Sequence, residues 1–386
     1  MRIIVVVLGL LAATVACGGE PPGPERDSSG RPTIRFATGF ANIGTLDPIT
    51  TVSGYDRMIT YMLFDGLVRY RQGDVTAPFE PDLATEVPQG ELTPDGHQTW
   101  TLPIRSGVIC PAGPASPRYE LTADDVVYSL SRAADPAKSN FSTYYSNVTA
   151  IEKLDDHTVR LTVDTPMTQA LFLPLVSDWG PAQITCRKAV EAQGDQGFAN
   201  FPIGTGPFTF QEYVPGQVLH LVANDDYWQG RPKAAGWDIQ PMADDTARKL
   251  ALLGGDLDVA AGGDTDAWFS DIAADDRFTL SSTPILGNTW MTINTSIPPL
   301  DDVRVRKAIC YVLDRAAWLN TGAGKTLIDD EHISRPTLAF VSSAVMPAGL
   351  PDEEVTRHGL DYPHDLDEAR RLMAEAGHAD GFTIQM

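Results

Sequence analysis

The stretch Gly322-Ala323-Gly324-Lys325-Thr326 has the ending of a phosphate-binding loop, in which backbone amides and a lysine cradle phosphate oxygens. The first glycine of such a loop would fall at position 319, which is Leu319, and a helical pattern precedes the segment where a strand is needed. A turn after a helix explains it better. The chain contains neither a GxSxG elbow nor an HExxH helix. Its seven histidines, among them His97, His157, His220 and His332, are scattered and have no acid or nucleophile partner nearby in sequence. The carboxylate pairs Asp124-Asp125, Asp225-Asp226 and Asp244-Asp245 are adjacent, as in helix caps and solvated turns; a dyad assembled in space stays open, but nothing in the sequence points to one. No catalytic residue, metal site or cofactor is assigned.

The cysteines carry a different chemistry. Met1-Arg2 is a short basic start, and Ile3 to Ala16 is an apolar run of signal-peptide size, too short to span a bilayer as a mature helix. Ala16-Cys17-Gly18 resembles a bacterial lipobox, whose cysteine is lipidated and becomes the new N-terminus. Thr14 departs from the leucine usual there, and the alternative is an ordinary secretory signal with a chance cysteine. Gly18 to Arg31, rich in Gly, Pro, Ser and charge, reads as a flexible tether. No later segment is apolar for long enough to cross a membrane. The expected location is therefore extracytoplasmic, at the cell membrane through Cys17. Export permits disulfides. Cys110 and Cys186 sit in loop-like, Pro-containing segments and are paired in this reading, although sequence alone does not fix connectivity. Cys310 falls beside apolar positions of a helical pattern and is expected to be a buried free thiol.

The 386 residues suffice for two or three domain-sized units, and 43% hydrophobic with 21% charged residues is ordinary for a globular chain. With 29 basic against 51 acidic residues the net charge is −22, which argues against nucleic-acid binding, because phosphate neutralisation needs clustered Lys and Arg. The acidity itself names no ligand and suits a solvated surface.

The positioning elements alternate. Thr33 to Ala37 reads as a strand, Asn42 to Thr51 as a turn-rich loop, and Tyr55 to Phe64 as a helix with Met58, Ile59, Met62 and Leu63 on one side. Gln98 to Arg105 alternates as a half-buried strand, and Pro103 places it near an edge. Thr122 to Asp125 has the form of a capping box ahead of Val126, Val127, Leu130 and Ala134. Thr158 to Val163 is another strand; Pro207 to Tyr213 and Gln217 to Val222 form a hairpin turning at Pro215-Gly216. Asp301 to Leu319 reads as one amphipathic helix with Val305, Ile309, Val312, Leu313 and Ala316 on its apolar face. A last helix runs from Leu366 to Ala376, stopped by Gly377. Phe382, Ile384 and Met386 begin a strand pattern where the chain ends, so the last lobe is expected to be incomplete. The alternation indicates an α/β fold with mixed sheets.

Several blocks, in order, resemble the family 5 extracellular solute-binding proteins, the oligopeptide- and dipeptide-binding group of ABC importers. They are Asn42 to Pro48, Phe64-Asp65-Gly66-Leu67-Val68, Pro81-Asp82-Leu83-Ala84 continuing through Trp100 to Val108, Leu121 to Leu130, Gly204-Thr205-Gly206-Pro207-Phe208, Asn224 to Lys233, Gly255-Asp256-Leu257-Asp258, Asn294-Thr295, and Pro299 to Asp314 with Arg304 to Ile309. Any one block is weak; their order along the chain carries the resemblance. It implies a two-lobed, periplasmic-binding-protein-like fold of the class II type with an extra subdomain in the first lobe. The signal peptide would be 1–17 and the tether 18–31. The first lobe would be 32–72 plus 203–282, the inserted subdomain 73–202, and the incomplete second lobe 283–386, with a hinge crossing at Ser281 to Gly287.

The resemblance implies a monomeric binding protein without cofactor, not an enzyme. It would trap a peptide or similar solute between its lobes and pass it to ABC permease subunits. Ligand-facing candidates are Asn42, Gly44, Thr45 and Leu46 in the first loop, then Thr289, Trp290 and Asn294 past the hinge, then Tyr144, Tyr145 and Trp179 in the insert. Core packing competes with lining for Trp179 and Trp290, and a structural role is expected for Trp100, Trp228 and Trp237. Gly204 to Pro207 is expected to make a tight turn before a strand, and Asp47 to cap or turn the first loop. Other cargoes on the same scaffold are nickel, haem, a sugar or an opine. Readings from other classes are a secreted hydrolase or a structural lipoprotein.

Overall fold

The computed structural model describes residues 25–71, 79–263, 265–281, 291–319 and 350–384. Cys17, Thr289, Trp290, the apolar stretch 3–16, most of the hinge candidate and the segment 322–326 lie outside the described residues.

Two sheets organise the chain. The first has five strands in the order Phe208–Val214, Val218–Ala223, Gly236–Pro241, Thr33–Thr38, Val259–Ala260. Its first three strands are antiparallel, and Thr33–Thr38 runs parallel to both of its neighbours, so the sheet is mixed. Leu219, Leu221 and Ile239 point into the core, while the residues between them, His220 and Asp238, pair across the other face at 2.6 Å. The hairpin turns where expected: Gly216 has φ +70°, a conformation that disfavours a Cβ, and Gln217 N–H donates to Val214 O.

The second sheet is antiparallel, in the order Gly90–Leu92, Gln98–Pro103, Thr158–Val163, Val148–Asp155. Trp100, Leu102, Val159, Leu161 and Val163 form its buried face, and Trp100 stacks on Phe172 with centroids 4.0 Å apart. The helix Ala123–Ala134 buries Val126, Leu130 and Ala133. Its start is held by Asp125, whose carboxylate accepts the Thr122 N–H at 2.9 Å. Cys110 and Cys186, both fully buried, form a disulfide with Cα atoms 5.8 Å apart, tying the strand Ile109–Cys110 to the start of the helix Arg187–Asn200. Among the described residues no helix is long and apolar enough to cross a membrane.

Gln98–Pro103 lies next to the edge strand Gly90–Leu92, near an edge as expected. Pro103 is tolerated because it is the last residue, where the chain leaves the ladder and only its carbonyl is used, by Thr85 N–H. Four other expectations are corrected. The helix expected over 301–319 is two, Val303–Val312 and Arg315–Leu319. Leu313 is extended (ψ 110°), and Asp314 restarts the helix by accepting the Ala317 N–H at 2.8 Å. Val305 and Ala308 are buried, the latter against Ala369 and Leu372 of the helix Leu366–Glu375, whereas Val312 is exposed; Cys310 is half-buried rather than buried. Phe382 and Ile384 belong to no sheet among the described residues; Phe382 meets His378 edge-on instead.

The disulfide spans 76 residues of sequence, so it restricts the unfolded chain strongly. The double variant Cys110→Ser/Cys186→Ser is expected to lose about 2–4 kcal/mol in urea unfolding, the magnitude typical of such cross-links. Two unmodified thiols in the oxidised native protein, read by mass spectrometry, would reject the pairing.

Candidate functional site

The first loop, 42–51, is held from several sides. Ser53 caps the helix Gly54–Leu63, and the buried Asp56 in its first turn turns back to accept the Gly44 N–H with both oxygens, at 3.1 and 3.2 Å. A Cβ at Gly44 would lie 2.7 Å from Asp56 Oδ2, so a larger residue there would displace the Asp56 carboxylate from this bond. Burial raises the Asp56 carboxyl above its ordinary value, and the Gly44 N–H pulls it back. Ile43 N–H donates to the Tyr213 hydroxyl at 3.1 Å. Further on, Asp47 is buried and paired with the buried Arg132 at 2.6 Å, and Arg132 also reaches Asp195 at 2.9 Å. A cavity of about 330 Å³ opens beside this cluster, but Arg132 and Lys138 there are already matched by Asp47 and Asp195.

The same loop positions an aromatic surface. Ile49 O accepts from Asn140 N–H at 3.0 Å, and Thr50 O accepts from the Asn140 side chain at 3.0 Å. These bonds fix the start of the short turn Ser142–Tyr145, so Phe141 and Tyr144 stand next to Trp179, with ring centroids 5.8 and 5.6 Å from it. Arg57 projects from the helix Gly54–Leu63 over both Phe141 and Trp179, its guanidinium carbon 5.4 and 5.1 Å from their centroids. Tyr61, one turn further on, is 40% exposed and Tyr144 54% exposed. Burial, then the Asp178 charge, raises the Tyr61 hydroxyl well above its ordinary value, so it stays a donor at neutral pH. Burial likewise pushes Asp178 up to about 6.

Beneath this surface lies a junction. Asp65 is 4% exposed and accepts hydrogen bonds from Thr205 Oγ1 at 2.8 Å, Trp228 Nε1 at 3.1 Å and the Tyr227 hydroxyl at 3.3 Å. Asp82 accepts from Gly66 N–H at 3.1 Å and Gln229 Nε2 at 3.0 Å, with Arg69 3.9 Å away. Gly204 and Gly206 lie against the end of the helix Gly54–Leu63; a Cβ at either would come within 2.3 or 2.5 Å of Leu63 backbone atoms. Burial raises both carboxyls, and the neighbouring Asp65 charge adds to the rise of Asp82 to about 8.

The structure brings together part of the expected set. Asn42 and Gly44 are exposed, Thr45 is half-buried with its hydroxyl 3.0 Å from that of Thr50, and Tyr144 and Trp179 share one surface. Two candidates are corrected. Leu46 is 3% exposed, packed in the main core, and Tyr145 is 3% exposed with its hydroxyl bonded to Leu175 O at 3.0 Å; neither presents a surface to a solute. Asn294 is exposed, and its side-chain oxygen accepts from the Ser296 N–H and hydroxyl in a local turn. Asp47 does more than turn the loop, because it anchors Arg132. Sequence reasoning missed Arg57 and Asp56. The one available signal was an Arg and a Tyr four apart on the polar side of an amphipathic helix, which by itself reads as solvated surface.

The chain belongs to the bacterial extracellular solute-binding proteins of family 5, whose model matches residues 78–386. It is 27% identical over 381 residues to heme-binding protein A of Haemophilus influenzae, covering 93% of this chain and 64% of that protein. It is also 27% identical to the dipeptide-binding protein of Escherichia coli K12, covering 98% and 68%. The chain therefore spans about two thirds of the length of these relatives. Among solved structures, MoaA of A. tumefaciens R10 in complex with mannopinic acid superposes with TM-score 0.72 and 28% identity, over 90% of this chain and 66% of that one. DppA of Helicobacter pylori in complex with the peptide STSA shares the fold at TM-score 0.73 and 22% identity, over 90% and 67%.

Removing the Asp65 carboxylate would strand the buried Thr205 hydroxyl and two half-buried donors, Trp228 Nε1 and the Tyr227 hydroxyl. Asp65→Ala is expected to cost about 3 kcal/mol or more in denaturant unfolding; a loss under about 1 kcal/mol would remove the junction's importance. Asp82 titrates far above an unfolded aspartate near 3.8, so between about pH 4 and 8 the folded state keeps a proton that the unfolded chain has shed. Stability must then fall as pH rises through that window. From pH 5 to pH 8 the wild type is expected to lose on the order of 2 kcal/mol more than Asp82→Asn, read from paired urea titrations.

Proposed function

We propose that this chain is a lipid-anchored, extracytoplasmic solute-binding protein that captures peptides or similar solutes between two lobes and delivers them to the permease of an ABC importer. The observation that carries the reading is the aromatic surface of the exposed Tyr61 and Tyr144 and the half-buried Trp179 beside the tethered first loop, in a chain of the family 5 type. Aromatic faces give broad apolar contact without demanding one side chain, as a peptide receptor requires. Relatives described as binding a dipeptide, and a structure described as holding mannopinic acid, support a small organic cargo.

In this reading the first lobe is 32–72 and 203–282, the insert 73–202, and the second lobe starts at 283; the position of the second sheet's strands, 90–163, between the first sheet's at 33–38 and 208–260 supports the first lobe and the insert. Asn42, Gly44, Thr45, Tyr144 and Trp179 would meet the solute from the first lobe and insert, and Thr289, Trp290 and Asn294 from the second. Contacts made by both lobes exist only in the closed form, so the solute shifts the population toward closure. Cys17 would carry the lipid, with 18–31 as tether, and the binding unit would act as a monomer.

A ligand that binds only the folded state raises the melting temperature by mass action. The full-length protein is expected to show saturable thermal shifts with members of a di- to hexapeptide panel. Shifts with sugars or metal ions alone, and none with any peptide, would sink the cargo assignment.

A further inference from the structure

Arg57 shares with Arg105, Arg306 and Arg315 the lack of a carboxylate partner among the described residues, but those three bond to backbone carbonyls at 3.1 Å or less, whereas Arg57 lies over two aromatic rings. In a protein with 51 acidic against 29 basic residues, Arg31, Arg35, Arg69, Arg118 and Arg132 all lie within 4 Å of a carboxylate. Arg57 has no ion-pair partner among the described residues, and its one hydrogen bond there runs from Nε to Thr51 O at 3.4 Å. Asp178 and Arg57 bear on the Tyr61 hydroxyl in opposite directions, Asp178 raising its pKa and Arg57 lowering it. The guanidinium is nonetheless restrained, because the rings of Phe141 and Trp179 each contact it and Phe141 is itself 7% exposed. Stacking on aromatic faces restricts a planar guanidinium while leaving its Nη edge to donate two parallel hydrogen bonds, the geometry that matches a carboxylate.

We propose that Arg57, held on Phe141 and Trp179, is the recognition point for a carboxylate on the bound solute, with Tyr144 and Tyr61 as exposed residues of the same surface. This deepens the reading of the chain as a solute receptor and rests on it. The shared chemistry is an organic carboxylate, whether the C-terminus of a peptide or a non-peptide acid. A neutral or purely cationic solute leaves the Nη edge without a partner once water is excluded, so it binds less tightly. The site therefore sets the charge class of cargo, while the aromatic surface tolerates variation in the rest of the molecule.

The test uses the full-length protein, followed by thermal shift and tryptophan fluorescence. The probes are a tripeptide library with free C-termini, the same library amidated, and the organic acids succinate and citrate. On the wild type, free acids are expected to bind about tenfold or more tightly than their amides. In Arg57→Gln the two forms are expected to become equal within about twofold, and Arg57→Lys, which keeps the charge without the fork, is expected to fall between. The acid-against-amide comparison on the wild type needs no variant, so a misfolded Arg57→Gln does not blunt it. Equal binding of acid and amide on the wild type, a preference that survives in Arg57→Gln, or no response to any carboxylate probe overturns the inference. If peptides bind equally in both forms, Arg57 loses this role and peptide capture stands. If peptides fail in both forms while succinate or citrate binds the wild type and not Arg57→Gln, peptide capture falls and the carboxylate site stands.

Discussion

A carboxylate withdrawn from water is costly unless donors replace its hydration. Asp65 meets that demand with a hydroxyl from Thr205, an indole N–H from Trp228 and a phenol from Tyr227, groups that lie far from it along the chain. Gly66, beside it, donates to Asp82, and Gln229 does the same from the other side. Four short sequence blocks, around residues 65, 82, 205 and 228, thus converge on one buried polar network. The glycines in those blocks have a common cause: at Gly66, Gly204 and Gly206 a Cβ would collide with neighbouring backbone. The junction joins the strands of the first sheet to the chain entering and leaving the second, so both sheets depend on it for their relative placement.

From that junction the candidate site is built outward. The helix Gly54–Leu63 ends against Gly204 and Gly206, which sets the direction of its polar face and of Arg57 and Tyr61 on it. The first loop is held at Gly44 by Asp56, at Ile43 by Tyr213, and at Asp47 by Arg132. Its carbonyls at Ile49 and Thr50 then fix Asn140, and with it the aromatic turn. Each tie is modest alone, but together they preorganise a surface that would otherwise lose side-chain entropy when a solute binds. An exposed aromatic group costs little to keep in place when its backbone is already fixed.

Local pattern was a good guide where burial follows period. The strand Thr158–Val163 and the hairpin turning at Gly216 emerge with nearly the expected bounds, because alternation and turn chemistry are properties of a few neighbouring residues. The helix expected over 301–319 failed at Leu313, where Asp314 can cap a new helix as well as decorate an old one. Tyr144 and Tyr145 show the sharper limit. They are adjacent and alike, yet in the short turn Ser142–Tyr145 one faces solvent and the other bonds to Leu175 O.

Order and composition of the sequence by themselves determined the family, the α/β class, the mixed sheets, the position of most elements and a workable disulfide pairing. These depend on local backbone preference and on motifs that survive in linear order. Only the tertiary structure decided which loop residues are exposed and which are core, that Asp65 rather than any exposed acid is the hub, and that Arg57, with no ion-pair partner among the described residues, lies over two rings. Those facts depend on side chains separated by tens to more than a hundred residues meeting in space, as Arg57 meets Trp179 and Asp65 meets Trp228. No periodicity within a single element encodes such meetings.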